Sequence, residues 1–553
     1  LRQRYLSFWS DDLNWENLMP PSESNAPPCV IHEDEHLLVV NKPAGWNTHA
    51  PGPYAGEGIY DWLRHREPRW SRLAIIHRLD KETSGVMVFG KTPLANRSLT
   101  EQFAGRHVQK RYVFLTDRPV KERQLTVRSK IARVGDRYTS SAQGEFAETR
   151  FRVLGPKVKS PNATLVEAQP LTGRTHQIRV HAAERGFPIL GDVLYGGSQF
   201  TRVCLHAAEL NLNHPSTGQP AIFRAPVEFE SDPRLSLRHG IVDPQDTNAL
   251  RLIHGASDGW SGWYVDQLGE FLLSQSAAAL RDGQKAELVR LAKLVYARAA
   301  YHKILTRDAR GAAKVEASPR PAFGEEAPTR FVVLENGRQF ELSFNEGYSV
   351  GLFLDQRDNR RRLLTGHVGA DFKLPPRGSR LEMLNTFAYT CGFSVCAALA
   401  GAKTISLDLS RRYLEWGKRN FSLNGLDPGA HEFIFGDVFD WLRRFARKAC
   451  AFDVVVLDPP TFSQSKDHGP FRAEKDYGKL VALTLPLIKP GGILFAATNA
   501  ARWRPQDFLT VLRQVIRAGG RKILQEQYFP QPPDFPINRA EPAYLKTVWL
   551  RIQ

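Results

Sequence analysis

The residues best placed for chemistry are carboxylates that close short apolar runs. Asp80 lies in IIHRLDKETSGVMVFGKT, flanked by His77, Arg78 and Lys81. A lone Asp after a strand is ordinarily a turn residue or a helix cap. Nearby cations keep such a carboxylate ionised even when it is desolvated, as acid–base or nucleophilic work requires. Further along, Asp458 closes FDVVVLD and opens Asp458-Pro459-Pro460-Thr461-Phe462. Asp408 closes TISLD, Asp437 closes EFIFGD, and Gly392 sits in the turn AYTCGFS after LEMLNTF. A glycine there lets backbone approach a cofactor closely, and a strand-end carboxylate can hold two ribose hydroxyls. Asp437 would then stand beside an adenine. Singly, each fits a turn or cap as well as a ligand. Jointly, polar residues at successive strand ends favour a ligand site.

The elements that must position these groups differ between the two halves. HLLVVNK, LAIIHRL, GVMVFGK, RYVFLT, ATLVEAQP and CLHAAELNL read as short strands separated by turn residues. Helices are expected near Pro93 to Arg106 and from His176. That pattern predicts an α+β unit with a mainly antiparallel sheet. From about Arg380, strands and helices alternate regularly, which predicts a parallel sheet covered on both faces, with ligands at the carboxyl ends of its strands. Between them, roughly Leu237 to Phe344 reads as a small α/β segment, with a helix from Asp282 to Arg298 and an exposed, mobile loop AAKVEASPRPAFGEEAPT. The expected division is an N-terminal extension 1–27, an α+β domain 28–236, a small α/β domain 237–345 and an α/β domain 346–553.

The N-terminal runs resemble, in order, the motifs of the RluA-type pseudouridine synthases. These are VVNKPAGW (Val39 to Trp46), HRLD followed by TSG, GRTHQIRVH (Gly173 to His181), FPILGDVLYG (Phe187 to Gly196) and LHA (Leu205 to Ala207), and the likeness covers about Val30 to Glu230. It implies that the bond from ribose to uracil N1 is broken and remade to C5 without a cofactor. Asp80 would be the catalytic carboxylate, attacking covalently or removing a ribose proton. Arg179 corresponds to the basic residue that pairs with it, and Tyr112, in QKRYVFL, to the active-site tyrosine, with a core aromatic as its alternative. A base in stacked RNA must be flipped out to reach such a pocket. Arg78 matches an arginine that fills the vacated space. Arg174 and His176, in the second basic motif, join it as RNA-binding candidates. His77 reads equally as a packed residue, and His107, Lys110 and Arg111 as a phosphate-contacting patch.

FLDQRDNR, NTFAYTCGFSV, DLSRRYLEW, FGDVFDWL, DPPTFSQSK and KDYGKLV resemble the RlmI-like and RlmK-like large-subunit ribosomal RNA methyltransferases, as does HGASDGWSGWYVDQLG before them. The likeness spans about Leu250 to Gln553 and implies a Rossmann-like, seven-stranded class I fold binding S-adenosylmethionine. Gln356, Arg357, Asn385, Phe387, Gly392, Asp408, Leu409, Asp437 and Asp458 are then the cofactor candidates. Asp458 would also act in catalysis, with Pro460 and Phe462 at the target base; stacking on an aromatic is worth about 1–3 kcal/mol. Carbon-5 methylation of cytosine needs a cysteine nucleophile. The positions that would supply it read Thr461, Thr498 and Asn499, while Cys450 precedes the strand at its wrong end and Cys391 and Cys396 lie near the cofactor turn. Guanine N7 is favoured, since a ring nitrogen needs only alignment with the sulfonium methyl.

Bulk properties agree. A formal charge of +17 and a pI near 9.7 favour a polyanionic partner. The five cysteines are scattered and form no zinc-ligand spacing, so a reducing cytoplasm and no metal are expected. No run is long and apolar enough for a membrane helix. The leading expectation is a two-headed RNA-modifying enzyme acting on large-subunit ribosomal RNA, with no DNA partner. Its rivals are a synthase half that only binds RNA, an inert methyltransferase half, and transfer RNA as substrate.

Overall fold

The computed structural model of the protein describes residues 26–157, 160–305, 318–346, 349–375, 381–465 and 469–553. The expected extension 1–27 thus falls outside the described residues except for 26 and 27, and the expected mobile loop does so over 312–317; within that loop Arg320–Gly324 is instead a strand, hydrogen-bonded to Ala299–Ile304.

The first part of the chain builds an eleven-stranded mixed sheet. At its heart is the strand Ser84–Gly90, buried at every residue, as its apolar run SGVMVFG requires. Leu37–Lys42 pairs antiparallel on one side and Leu205–Asn213 parallel on the other. Their approach is close: a Cβ on Gly85, at φ +119°, would lie 2.2 Å from the Ala207 carbonyl oxygen. The strands Gln109–Thr116, Ser160–Pro170, Glu145–Lys157 and Gln124–Val134 continue the sheet antiparallel. Two helices stand where expected, Pro93–Ala104, capped by the Thr92 side chain on Ala95 N–H, and Gln177–Glu184. A further helix, Ile59–Arg66, was not expected. Its apolar Ile59, Trp62 and Leu63 are buried within a short stretch otherwise rich in Arg and His.

The helix Pro233–Ile241 leads into a five-stranded sheet of Ala249–His254, Trp263–Leu268, Phe271–Ser276, Ala299–Ile304 and Arg320–Gly324, with the helix Asp282–Leu294 packed on it. The boundary expected after residue 236 falls inside Pro233–Ile241. Leu235 packs into the five-stranded unit, whereas Leu237 and Ile241 pack back into the N-terminal core, so the helix serves both.

The last part is a seven-stranded sheet in the order Glu432–Phe435, Lys403–Asp408, Glu382–Thr386, Phe452–Leu457, Ile488–Thr498, Lys546–Ile552, Ile523–Phe529. The first five are parallel to one another, and Lys546–Ile552 runs antiparallel between its neighbours. Strand–helix alternation predicted a parallel sheet, and this strand departs from it. It is reached from Ile523–Phe529 by a loop without a crossover helix, which antiparallel pairing permits. The chain runs outward from Glu382–Thr386 to one edge and returns at Phe452–Leu457, so a crevice opens at the carboxyl ends between them.

The first and last parts of the chain meet. The helix Ile59–Arg66 lies against the helix Arg357–Thr365, with Glu67 ion-paired to Arg361 and His367 Nε2 2.8 Å from the Arg64 carbonyl. Tyr54 and His65 set their rings edge-on to Tyr528 and Phe529, at 5.1 and 5.0 Å. No helix among the described residues is long and apolar enough to cross a membrane.

Candidate active sites

Asp80 stands in the loop that enters the central strand Ser84–Gly90, and VVNKPAGW builds its cradle. Lys42 is fully buried and donates to the carbonyls of Pro43 (2.9 Å), Trp46 (2.7 Å) and Lys81 (3.3 Å). Gly45 N–H also donates to Lys81 O at 2.8 Å, and Thr48 Oγ1 donates to Leu79 O at 2.9 Å. Backbone on both sides of Asp80 is thus pinned. Burial, reinforced by the Arg202 charge, brings the Lys42 ammonium down to about 7.

The helix Gln177–Glu184 and its N-cap His176 bring the basic side chains. Arg179 Nη1 lies 3.7 Å from Asp80 Oδ2, and His176 Nε2 lies 3.8 Å from the same oxygen. Arg179 is anchored by Asp192, with Nε 2.7 Å from Oδ2 and Nη2 2.8 Å from Oδ1. Nη1 makes no hydrogen bond and lies between two carboxylates, Asp80 and Glu82, the latter 3.5 Å away. Below the guanidinium, 5.1 Å from it, lies the ring of Tyr195, whose hydroxyl is 2.8 Å from His176 Nδ1 and accepts from Tyr138 N–H. Burial and the Asp80 charge both push the Tyr112 phenol above its ordinary range, so it stays protonated.

The other sequence candidates sort clearly. Arg78 is exposed, its guanidinium 3.4 Å from Thr175 Oγ1. Arg174 is tied to the Phe146 carbonyl (3.1 Å) and ion-paired to Glu145. His176, an RNA-binding candidate, is brought to Asp80 itself. His77 is a packed residue: it stacks on Phe103 at 4.7 Å, accepts from Val88 N–H, and burial lowers it to about 3. Arg111 is no open phosphate contact, since Glu167 and Glu209 lie 3.4 Å from its guanidinium on either side. Sequence reading missed Lys42, Asp192 and Tyr195, all inside runs it had singled out.

In the second site, the turn after Glu382–Thr386 places three non-glycine residues in the left-handed region, Phe387 (φ 55°), Tyr389 (φ 49°) and Cys391 (φ 63°). Such strain persists only where surroundings over-determine it, and it gathers at functional sites. Here Tyr389 N–H donates to Asp408 Oδ2 (2.8 Å), Thr390 Oγ1 to Gly351 O (2.5 Å), and Asn420 Nδ2 to Thr390 O (2.9 Å). Asp408 takes a second N–H from Ser410 at 2.8 Å, yet burial still pushes its carboxyl up to about 6. Asn385 braces the turn from beneath through Ser394 Oγ (2.9 Å). Asp437 caps the helix Val438–Arg447, accepting from Phe439 and Asp440 N–H. Around the strand ends Phe353, Leu409, Phe435 and Phe462 stay 48%, 41%, 47% and 40% exposed, apolar surface for a ligand to cover.

Asp458 faces Gln356, whose Nε2 donates to Oδ2 at 3.1 Å and whose own Oε1 accepts from Asn359 Nδ2 at 2.8 Å. Burial first, and then the charge of Asp355, push the Asp458 carboxyl up to about 7 against the opposing pull of Arg360 and Gln356. Pro459 is buried and Pro460 exposed; Phe462 then opens a hairpin with Gly469–Arg472, and Thr461 Oγ1 donates to Asn499 Oδ1. One cofactor candidate is engaged elsewhere. Arg357 is buried and turned to Asp534, with bonds of 2.9 and 2.6 Å. At Gly392, which opens the helix Gly392–Leu399, a Cβ would lie 3.3 Å from Arg360 Cδ. Cys391 and Cys396 are buried, their thiols raised to about 12.

A family profile described as RNA pseudouridylate synthase matches residues 36–184, and one described as S-adenosylmethionine-dependent methyltransferase matches 286–551. A ribosomal RNA large subunit methyltransferase of Deinococcus radiodurans is 32% identical over 315 residues, covering 56% of this chain and 73% of its own. A ribosomal large subunit pseudouridine synthase C of Yersinia pestis is 39% identical over 228 residues, covering 39% of this chain and 68% of its own. A solved methyltransferase complexed with SAH is 30% identical, with a TM-score of 0.48, covering 56% of this chain and 76% of that one.

Proposed function

Because the chain belongs to the RNA pseudouridylate synthase family in its N-terminal part and to the S-adenosylmethionine-dependent methyltransferases in its C-terminal part, we propose that it places two marks on large-subunit ribosomal RNA. One is pseudouridine, made at Asp80. The other is a methyl group on a base, guanine N7, delivered beside Asp458. The assignment divides the chain into a synthase unit from residue 28, a small α/β unit following Pro233–Ile241, and a methyltransferase unit from 346.

The observation that carries the first reading is the approach of Arg179 Nη1 to Asp80, at 3.7 Å, within an acidic pair completed by Glu82 at 3.5 Å. The guanidinium sets an opposite charge beside the carboxylate as RNA closes over it. Asp80 then attacks the ribose or removes its proton while protonated Tyr112 packs against the uracil. Arg78, exposed at the rim, fills the stack that the flipped base vacates.

For the second reading, S-adenosylmethionine supplies an electrophilic methyl group when bound. The residues suit it: Asp408 would take ribose hydroxyls, and Leu409 and Phe435 leave apolar surface at the strand ends that an adenine would cover. Gln356 orients Asp458, and Asp458 with Pro460 and Phe462 aligns the base. A cytosine C5 reaction calls for a thiolate, whereas Thr461 and Asn499 engage each other and the thiols of Cys391 and Cys396 are buried and held protonated. That supports a ring nitrogen as acceptor.

Nucleoside mass spectrometry on ribosomal RNA treated with wild type, Asp80→Ala and Asp458→Ala tests both. The expected result is loss of pseudouridine only in Asp80→Ala and of 7-methylguanosine only in Asp458→Ala. A methyl mark without pseudouridine from wild type would make the N-terminal half an RNA-binding platform instead.

A further inference from the structure

Beside Asp80 the chain displays two large aliphatic side chains to solvent, Val193 and Leu194, 65% and 45% exposed. Neither belongs to the apolar core of its unit, and both sit in one turn of 3-10 helix, Val193–Tyr195. Isolated exposed apolar residues are common and need no explanation. The turn that carries these two is different, because its flanking residues are the ones that hold the Asp80 site. Asp192, immediately before them, is 1% exposed and anchors Arg179; Tyr195, immediately after, lies under Arg179 and bonds His176.

The turn is also rigidly built. Gly191 has φ +84°, and a Cβ there would fall 1.9 Å from the Arg202 carbonyl oxygen. Gly191 N–H donates to Ser198 O at 2.8 Å, and Gly197 N–H returns to Asp192 O at 2.9 Å. A stiff turn holding apolar side chains in water at the mouth of a base-flipping pocket has the properties of a wedge. Apolar wedges unstack nucleic acid bases, and a rigid one is spared an ordering cost when it binds.

We infer that Val193 and Leu194 insert into the RNA beside the target uridine and hold its neighbours apart while the base occupies the Asp80 pocket. The inference rests on the pseudouridine synthase reading of the N-terminal unit. The partner is RNA, since the whole chain carries +17 and Arg78, two residues before Asp80, is exposed and reaches Thr175 next to His176. Arg78 and the aliphatic pair would thus approach the flipped nucleotide as separate elements, one charged and one apolar.

The test is the double substitution Val193→Ser with Leu194→Ser, at solvent-facing positions where the fold has little to lose. Pseudouridine formation is measured on a folded large-subunit ribosomal RNA transcript and on a short unstructured oligoribonucleotide with the same target uridine. Expected is a fall in kcat/KM of about tenfold or more on the folded RNA and less than twofold on the unstructured one. Equal loss on both, or no loss on either, overturns the wedge. A second readout is independent of turnover: 2-aminopurine placed beside the uridine in a duplex brightens on unstacking. Wild type should brighten it and the double variant should not; equal brightening overturns the inference. If wild type makes no pseudouridine on either RNA, the reading of the N-terminal unit fails, and the fluorescence still decides the wedge. A change of oligomeric state in the double variant with unchanged brightening assigns the pair to a contact between copies and overturns it as well.

Discussion

Asp192 holds Arg179 from the side opposite Asp80, through paired bonds of 2.7 and 2.8 Å between groups 1% and 4% exposed. Arg179 is thereby fixed before any substrate arrives, and its remaining nitrogen is aimed by geometry that Asp192 sets. Asp80 does not touch Asp192, yet depends on it.

Replacing Asp192 by Ala should therefore damage both fold and chemistry. Breaking one partner of a buried ion pair costs about 3–5 kcal/mol. Urea melts should show that loss, and pseudouridine formation should fall about a hundredfold through the misplaced guanidinium. Methylation, whose residues lie in another unit, should persist wherever the protein remains folded. Arg179→Lys should not restore the site, because a lysine cannot make the paired contact.

The junction between the halves gives a second expectation. Glu67 and Arg361, 12% and 10% exposed, pair across it. Glu67→Lys should lower stability by about 3 kcal/mol and separate one unfolding transition into two, read by calorimetry. Adding Arg361→Glu should recover much of the loss, since the reversed pair restores opposite charges.

A third concerns pH. Asp458 is raised to about 7 and Asp408 to about 6, in each case by burial first. A carboxyl raised in the folded state binds its proton more tightly there than in the unfolded chain. The stability it contributes is full below the ordinary carboxylate range and is lost as pH rises toward 7, where the buried group must ionise. Asp458→Asn should then raise the Tm at pH 8 by more than at pH 5, with a gain on the order of 2 kcal/mol at the higher pH. Equal shifts at both pH values would contradict the buried-acid picture.

How far these sites were legible in sequence follows from how each residue acts. Asp80, Tyr112 and Arg179 lie in contiguous runs that resemble the synthase motifs in order, and that likeness assigned their roles. Lys42 was passed over because it works through backbone carbonyls, a role that no spacing reveals. Asp192 looked like one turn residue among many, since its partner is thirteen positions upstream on another element. Arg357 was misjudged because sequence does not say which way a helical arginine turns. In Arg357–Thr365, Arg357 and Arg360 both point inward, to Asp534 and Glu335. The seven-stranded sheet was legible from strand–helix alternation. The antiparallel Lys546–Ile552 was not, because alternation carries order without direction.

The last prediction separates nitrogen from carbon as the methyl acceptor. A carbon-5 enzyme attacks C6 with a thiolate, so RNA containing 5-fluorocytidine traps a covalent adduct. Among the cysteines of this unit, Cys391 and Cys396 are buried with thiols raised to about 12, and Cys450 precedes the strand Phe452–Leu457 at the end away from Asp458. None can present a thiolate beside the base without rebuilding the core. Denaturing gels should show no adduct with 5-fluorocytidine RNA, and Cys450→Ala and Cys396→Ala should each retain methylation within about threefold at temperatures where the variant is folded. A stable adduct that disappears in one of these variants would name the nucleophile and return cytosine C5 as the target.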